Sequence, residues 1–204
     1  GEDTLSLHDA LPISHACTPR HIPGALEEGK MMLDVETFPG QVPYRAILPQ
    51  GVDNLLVPVC LSSTHVAWGT IRLEPTWMSL AESAGYAAAL SVQQGIAPAQ
   101  LNAEVLLRRL VAKKVMVSFF NDLDVAGDEP RIAAAQYFAT KGFFADYNAR
   151  LDEPLKTATE KVWTQKFDEP RHRAAAVAAA EKSDSPPSGK TRGEVLMTLF
   201  KARP

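Results

Sequence analysis

The chain has 204 residues, of which 46% are hydrophobic and 22% are charged, and its formal net charge is -3. These values are typical of a globular protein with one domain or two small ones. They exclude the basic excess on which nucleic-acid binding depends, so we predict no nucleic-acid partner. No run of 18 apolar residues occurs, which predicts no transmembrane segment. Cys17 and Cys60 indicate neither a cysteine-rich metal site nor a disulfide framework, and a single bridge between them stays an open alternative.

The first residues read as translated adapter DNA. Thr4 to Ile13 is what the bases of a common sequencing-adapter oligonucleotide would encode. We therefore expect residues 1–14 to be an artefact and exclude them from the fold prediction, a natural capped segment being the alternative. In that case residues 15–41, with a short strand candidate at Met31 to Val35, are a loop-rich remnant of a missing upstream domain. The true N-terminus and any signal peptide would also be missing, so the sequence assigns no cellular location.

Two strand candidates follow, Val42 to Leu48 and Asn54 to Leu61, separated by a turn rich in Pro, Gly and Asp. The second is apolar on both faces, which is typical of a strand covered on two sides in an α/β sheet. Pro58 points to an edge, a bulge or a strand end, because proline cannot donate to a central ladder. Asn54 either caps the turn or has a role in a site.

A long helix is predicted from Pro75 to about Gln94, with Gly95 as its stop signal and Pro98 beyond it. Small residues recur on one face of this helix, which predicts a helix buried against another backbone. They are Ala81, Gly85, Ala88 and Ala89.

A second amphipathic helix is predicted from Ala99 to about Lys114. Its apolar stripe consists of Leu101, Val105, Leu106, Leu110 and Val111.

The remainder of the chain indicates a separate helical module at residues 115–168, followed by residues 169–204. The second part has an Ala-rich run at 174–180, a Ser/Pro linker at 183–189 and a terminal helix. Thr157 and Thr191 each follow a lysine and precede a glutamate by three residues, which predicts a capping box that opens a helix.

Five motifs in the middle of the chain carry a resemblance. They are Val42-Pro43-Tyr44-Arg45-Ala46-Ile47-Leu48-Pro49, Asn54-Leu55-Leu56-Val57, Ser62-Ser63-Thr64-His65, Ile71-Arg72-Leu73-Glu74-Pro75-Thr76-Trp77-Met78 and Ala84-Gly85-Tyr86-Ala87-Ala88-Ala89. In order and spacing they resemble the C-terminal flavin-binding segment of the FAD-dependent oxidoreductase family that includes proteins labelled xanthan lyase. The resemblance covers roughly Gln41 to Asn121. It implies a mainly helical α+β fragment with a few strands, in which residues 42–114 are the C-terminal part of a Rossmann-type FAD domain.

The resemblance also implies which residues lie near the flavin. The cofactor-binding candidates are Ser62, Ser63, Thr64, Ile71, Glu74, Pro75 and Thr76. A helix that starts near Pro75 would present unpaired N–H groups and partial positive charge to the flavin. His65 and Arg72 are the catalytic candidates, the first for proton transfer and the second as a fixed cation or a substrate-carboxylate ligand. The substrate, a small or sugar-like organic molecule, is not identified.

Each candidate has a structural alternative. Arg72 could form an ion pair with a neighbour such as Glu74, and His65 could be a non-catalytic histidine. Ser62, Ser63 and Thr64 bind ribityl or phosphate oxygens or are ordinary turn residues.

Several features depart from the family. Ala81 stands where many members have Gly, and Pro58-Val59-Cys60 stands where many have Ala-Gly-Arg. No G-x-G-x-x-G occurs, so we expect FAD to bind only together with the missing N-terminal half. An iron–sulfur cluster occurs in the family, but this chain has no cysteine cluster to hold one, and we predict no metal site.

The tail resembles one S-layer homology repeat more weakly. The segments are Phe119 to Leu123, Ala134 to Tyr147 and Leu151 to Leu155, followed by the predicted helix at Thr157 to Trp163. The resemblance implies either binding to a cell-wall polymer or only an appended packing module.

Two functions from different classes therefore compete. One is a fragment of an FAD-dependent oxidoreductase, inactive by itself, and the other is a non-enzymatic interaction or surface-attachment module. A serine hydrolase built on Ser62, Ser63 and His65 is disfavoured, because no G-x-S-x-G motif accompanies them.

Overall fold

The computed structural model describes residues 40–202, except for the side chains of His65 and Val66. The adapter-like segment 1–14, the strand candidate Met31 to Val35 and Cys17 lie outside the described residues. The chain divides into two compact units, residues 1–103 and 104–204. Residues 40–202 form seven α-helices and one two-stranded sheet, which is consistent with the predicted, mainly helical α+β class.

In the first unit, the prediction of two strands is wrong. Tyr44–Ile47 is a turn of 3-10 helix, and residues 54–61 have no regular secondary structure. The two segments still lie side by side, since the backbone N–H of Val57 donates to the carbonyl of Ile47 at 2.8 Å. Pro58 follows at once and has no N–H, so the pairing does not extend into a ladder.

Two helices follow these segments: α1 is His65–Ile71 and α2 is Glu74–Gln94. The helix predicted from Pro75 to Gln94 is confirmed. Gly95 ends it in the left-handed region, at φ 66°, where a residue with a Cβ would be strained. The core of the unit, formed by Ala46, Ile47, Leu61, Ile71 and Ala84, lies on one side of α2.

The prediction that the small-residue face of α2 is buried is wrong. Ala81, Gly85, Ala88 and Ala89 are all exposed, while the buried face carries Ala84, Ala87, Leu90 and Ser91. Met78 and Val92 lie in line with the small residues and are 72% and 83% exposed. The reason is that the described core of this unit covers only the opposite face of the helix.

The second predicted helix starts later than expected. Pro98–Gln100 is a 3-10 turn, and α3 is Ala103–Ala112. Leu101, Leu106, Leu110 and Val111 are buried as predicted, but Val105 is exposed.

The second unit contains six further elements. They are α4 (Pro130–Ala139), β1 (Pro154–Lys156), α5 (Thr157–Thr164), α6 (Pro170–Lys182), β2 (Pro187–Thr191) and α7 (Arg192–Lys201). Residues from both predicted ranges, 115–168 and 169–204, share one core. The interpretation of 183–189 as a linker is wrong in part, because β2 begins there and pairs antiparallel with β1.

The second unit repeats the order helix, strand, helix. The first copy is α4, β1 and α5, and the second is α6, β2 and α7. The first helix of each copy packs against the second helix of the other. Both copies open with Glu-Pro-Arg, at Glu129 and at Glu169, and each of these glutamates forms an ion pair with the arginine two residues on.

The predicted capping box is confirmed in one copy only. At α7, Thr191 Oγ1 accepts from the N–H of Glu194 at 3.2 Å, and Glu194 Oε2 accepts from the N–H of Thr191 at 2.8 Å. At α5 the cap residue is Lys156, whose side chain makes no capping bond. The N–H of Thr157 donates instead to the carbonyl of Pro186 at 2.9 Å.

Candidate functional site

The segment predicted to contact the flavin starts at Ser62 and leads into helix α1, and hydrogen bonds hold it in place. The N–H of Ser62 donates to the carbonyl of Ala46 at 2.8 Å, which ties the segment to the 3-10 turn. Thr64 caps α1, with its Oγ1 accepting from the N–H of Ala67 at 3.2 Å. Ser62 is exposed, and Ser63 and Thr64 are half-buried. A ligand can therefore reach Ser62 directly, whereas the oxygen of Thr64 already has a structural role.

Arg72 lies at the other end of α1. Its N–H donates to the carbonyl of Trp68 at 3.1 Å, and its side chain is exposed. Glu74 is the first residue of α2 and is also exposed. In the described part of the chain the two side chains form no ion pair, so the charge of Arg72 is not neutralised by Glu74.

The N-terminus of α2 has no side-chain cap. Its cap residue is Leu73, and its second residue, Pro75, has no N–H. The first N–H groups of a helix lack intrahelical partners, and a long helix carries a partial positive charge of roughly half a unit at this end. The carboxylate of Glu74 offsets part of that charge. The N–H groups at this end of the helix can therefore donate to a neutral or weakly anionic hydrogen-bond acceptor.

The predicted site residues form two groups. Ser62, Ser63, Thr64 and His65 lie at the start of α1, and Arg72, Glu74, Pro75 and Thr76 lie beyond its end. Seven helical residues, His65–Ile71, span about 10 Å. One extended ligand could meet both groups, but one small molecule could not. The side chain of Ile71 is buried in the core, which leaves only its backbone for a ligand.

Two tryptophans beside this segment were not predicted as site residues. The ring centroids of Trp68 and Trp77 are 5.9 Å apart. Trp77 Nε1 and Thr70 Oγ1 are buried with no hydrogen-bond partner among the described residues. A buried donor without a partner costs about 1–3 kcal/mol, so this junction is less stable than it would be with both groups hydrogen-bonded. The signal in the sequence was a tryptophan on either side of Arg72.

Tyr44 holds the neighbouring turn in place. Its hydroxyl donates to the carbonyl of Pro98 at 2.9 Å, which fastens the 3-10 turn to the segment after α2. Burial raises the pKa of the Tyr44 phenol, so it stays protonated and keeps this bond at neutral pH.

Neither a metal site nor a membrane span appears in residues 40–202. No three His, Cys, Asp or Glu side chains are grouped there so as to hold a metal ion. Within the same residues, every helix is too short or too polar to cross a bilayer.

Part of the chain, including this region, is similar to a known protein family. Residues 14–110, just under half of the chain, match the family model described as FAD dependent oxidoreductase. The matched range includes all of the predicted flavin-site residues, and the match supports the predicted resemblance to FAD-dependent oxidoreductases. No curated protein and no solved structure matches the chain, so no named relative supports the xanthan lyase label or the S-layer homology of the tail. Residues 14–110 of this protein are therefore similar to the FAD dependent oxidoreductases.

Proposed function

We propose that residues 42–114 supply the C-terminal part of a Rossmann-type FAD domain in an oxidoreductase. One observation carries the proposal: the stretch that matches the flavoprotein family contains a long helix, α2, with an uncapped N-terminus directly after Arg72. N–H groups at such an end suit the pyrimidine carbonyls of a flavin and the negative charge that develops near N1 on reduction. They would raise the reduction potential of the flavin.

Each candidate residue would have a separate role in the flavin site. Arg72 supplies a fixed positive charge next to the helix end, where it stabilises the reduced flavin or binds a substrate carboxylate. Ser62, Ser63 and Thr64 donate hydrogen bonds to ribityl or phosphate oxygens. His65 exchanges a proton with a small or sugar-like substrate, a role that histidine often has in enzymes.

The proposal requires a further segment to seat the FAD pyrophosphate. The chain contains no G-x-G-x-x-G, which supports the view that it binds FAD only with an upstream half. The exposed stripe of α2 from Met78 to Val92 supports the same view, because an additional part of a flavin domain would cover it.

Equilibrium dialysis with FAD tests the proposal. We expect the 204-residue chain to retain no FAD, and the protein extended by its upstream reading frame to bind it. In the extended protein, Arg72→Gln should lower the flavin reduction potential or raise the substrate KM. The matched control is Arg109→Gln, which removes an exposed arginine on α3. An extended protein that folds but takes up no FAD contradicts the proposal.

A second candidate function is attachment to a cell-wall polymer through the tail. The observation that favours it is that residues 104–204 form a compact unit with its own core around Phe138 and Trp163. Residues 104–204 expressed alone should fold cooperatively and sediment with insoluble wall polymer. A folded segment that stays in the supernatant rejects this candidate.

A further inference from the structure

A small cavity lies in the second unit between the C-terminal end of α3, the loop that leads into α4 and the first turns of α4. Its volume is about 170 Å³. Spaces larger than a water molecule are few in a folded domain, because the atoms around them lose packing contacts. An apolar cavity of about 150 Å³ is large enough to bind benzene. This cavity therefore fits a ligand of about one six-membered ring and is too small for a flavin or a nucleotide.

Hydrophobic residues form most of the wall. Val111 and Val115 contribute from the end of α3 and the turn after it, Ile132 and Ala133 contribute from α4, and Val125 contributes from the loop. Val125 and Ala133 are half-buried, so part of each side chain stays accessible. A wall of this kind favours an apolar ligand, since contact removes the apolar surface of both from water.

The polar groups around the cavity have partners within the protein. Gln136 Oε1 accepts from the N–H groups of Val117 and Ser118, at 3.0 and 2.8 Å, and its Nε2 donates to the carbonyl of Ser118 at 2.7 Å. Four backbone N–H groups beside the cavity donate to carbonyl oxygens of their own turns, those of Lys114, Val115, Gly127 and Ile132. A ligand therefore has no need to supply hydrogen bonds to these groups.

The charges at the edge of the cavity are paired with each other. Lys114 Nζ forms an ion pair with Asp128. Glu129 forms an ion pair with Arg131. A charged ligand would lose its hydration here and would have to compete for charges that are already neutralised. The ligand that fits is therefore neutral.

Lys114 also closes one side of the cavity. Its Nζ donates to the carbonyl of Ala126 at 3.0 Å, so it joins the end of α3 to the loop before α4. Gly127 keeps the same loop close to α4, since a Cβ there would lie 2.8 Å from Ile132 Cδ1. The side chains of the Lys114–Asp128 pair are 45% and 99% exposed, and exposed pairs contribute little stability. The pair can therefore open to admit a ligand.

We propose that this cavity binds a neutral, mainly apolar molecule of about one ring. Val125 and Ala133 contact its apolar surface, and the Lys114–Asp128 pair lies at the entrance. Another cavity in this unit, lined by Thr159 and Arg192, has mostly charged residues around it and offers no comparable apolar wall. The proposed site lies within residues 104–204 and is independent of the flavin proposal.

NMR titration of the isotope-labelled full chain tests the proposal with phenol, cyclohexanol, benzoate and naphthol as probes. We expect phenol and cyclohexanol to bind saturably, with a Kd on the order of 1 mM. The largest shifts should be those of the amides of Val115 and Gly127, which border the cavity. Benzoate adds a charge and naphthol adds a second ring, so each should bind at least about tenfold more weakly than phenol.

Two variants and a matched control separate binding in the cavity from binding elsewhere. Ala133→Leu fills the cavity and should abolish the saturable shifts. Ala175→Leu makes the same change at an exposed position of α6 and should leave the Kd unchanged. Val125→Thr keeps the shape of the wall but replaces a methyl by a hydroxyl, so it should weaken binding about fourfold. Thermal unfolding verifies the fold of each variant, and Val125→Thr carries the test if Ala133→Leu does not fold.

The outcomes separate the alternatives. Similar binding of phenol and cyclohexanol supports a site for apolar rings in general, and binding of phenol alone supports an aromatic ligand. The proposal is overturned if neither ring binds saturably, if benzoate binds as tightly as phenol, or if a folded Ala133→Leu or Val125→Thr variant binds as tightly as the unmodified chain. None of these results depends on FAD, so failure here leaves the flavin proposal untouched.

Discussion

Replacing Gly142 by alanine should destabilise the second unit by about 2–5 kcal/mol. Gly142 has φ 75°, and a Cβ at this position would lie 2.1 Å from the carbonyl oxygen of Pro170 and 3.2 Å from the nitrogen of Ala174. The left-handed backbone costs an L-residue about 1–2 kcal/mol. The clash is with backbone at the start of α6, which cannot rotate away, and overpacking of this kind adds about 1–3 kcal/mol.

Gly189 provides the matched control. Its φ is 80°, but a Cβ there would meet no atom within 4 Å, so Gly189→Ala should cost only the backbone term of about 1–2 kcal/mol. Urea unfolding of the full chain, with Trp68 and Trp77 replaced by phenylalanine, leaves Trp163 as the reporter. Trp163 is fully buried in this unit, and its Nε1 donates to the carbonyl of Phe143 at 2.8 Å. Equal losses in the two alanine variants would refute the clash.

Three further predictions concern stability. Thr159→Val should leave the chain as stable as before or more stable by up to about 1–3 kcal/mol in urea unfolding, because it removes a buried hydroxyl that has no partner among the described residues. A clear loss would mean that the hydroxyl has a partner. Met78→Lys should change the unfolding free energy by less than about 0.5 kcal/mol, since the side chain is 72% exposed, and a larger loss would mean that the face is covered. Burial alone would raise the pKa of Glu104, but hydrogen bonds from Lys141 and Tyr137 lower it overall. The stabilisation that the Glu104 carboxylate provides is therefore present above the unfolded pKa of about 4.3 and is lost as the pH falls below it. Glu104→Gln should make the free energy of unfolding depend less steeply on pH in that range, and an unchanged slope would contradict this.

Local signals in the sequence predicted the long helix well. Pro75 near its start and Gly95 at its end mark the ends of the helix through their own backbone conformation. The ends could therefore be predicted without knowing any distant contact. The strands failed for the opposite reason. An apolar run such as Leu55 to Leu61 forms a strand only when a neighbouring strand pairs with it. The hydrogen bond between Val57 and Ile47 is not continued at Pro58, because proline has no N–H to donate.

The small-residue face of α2 was predicted from periodicity alone. Periodicity indicates that a face such as Ala81 to Ala88 is suited to close packing, but it does not show which segment would pack against it. That face is exposed in the described residues. The order of the motifs was sufficient to predict that residues 14–110 are similar to the FAD dependent oxidoreductase family. The cavity lined by Thr159 and Arg192 could not be predicted, because the two residues are distant in sequence and come together only when β1 pairs with β2.

The measurement that tests the central claim most directly is the visible absorption spectrum of this protein expressed from its reading frame extended upstream of residue 15. The account predicts that the added sequence contains a strand, a G-x-G-x-x-G turn and a helix, and that the purified protein shows the bands of bound flavin. A folded, extended protein that purifies without flavin and does not take up added FAD would contradict the claim.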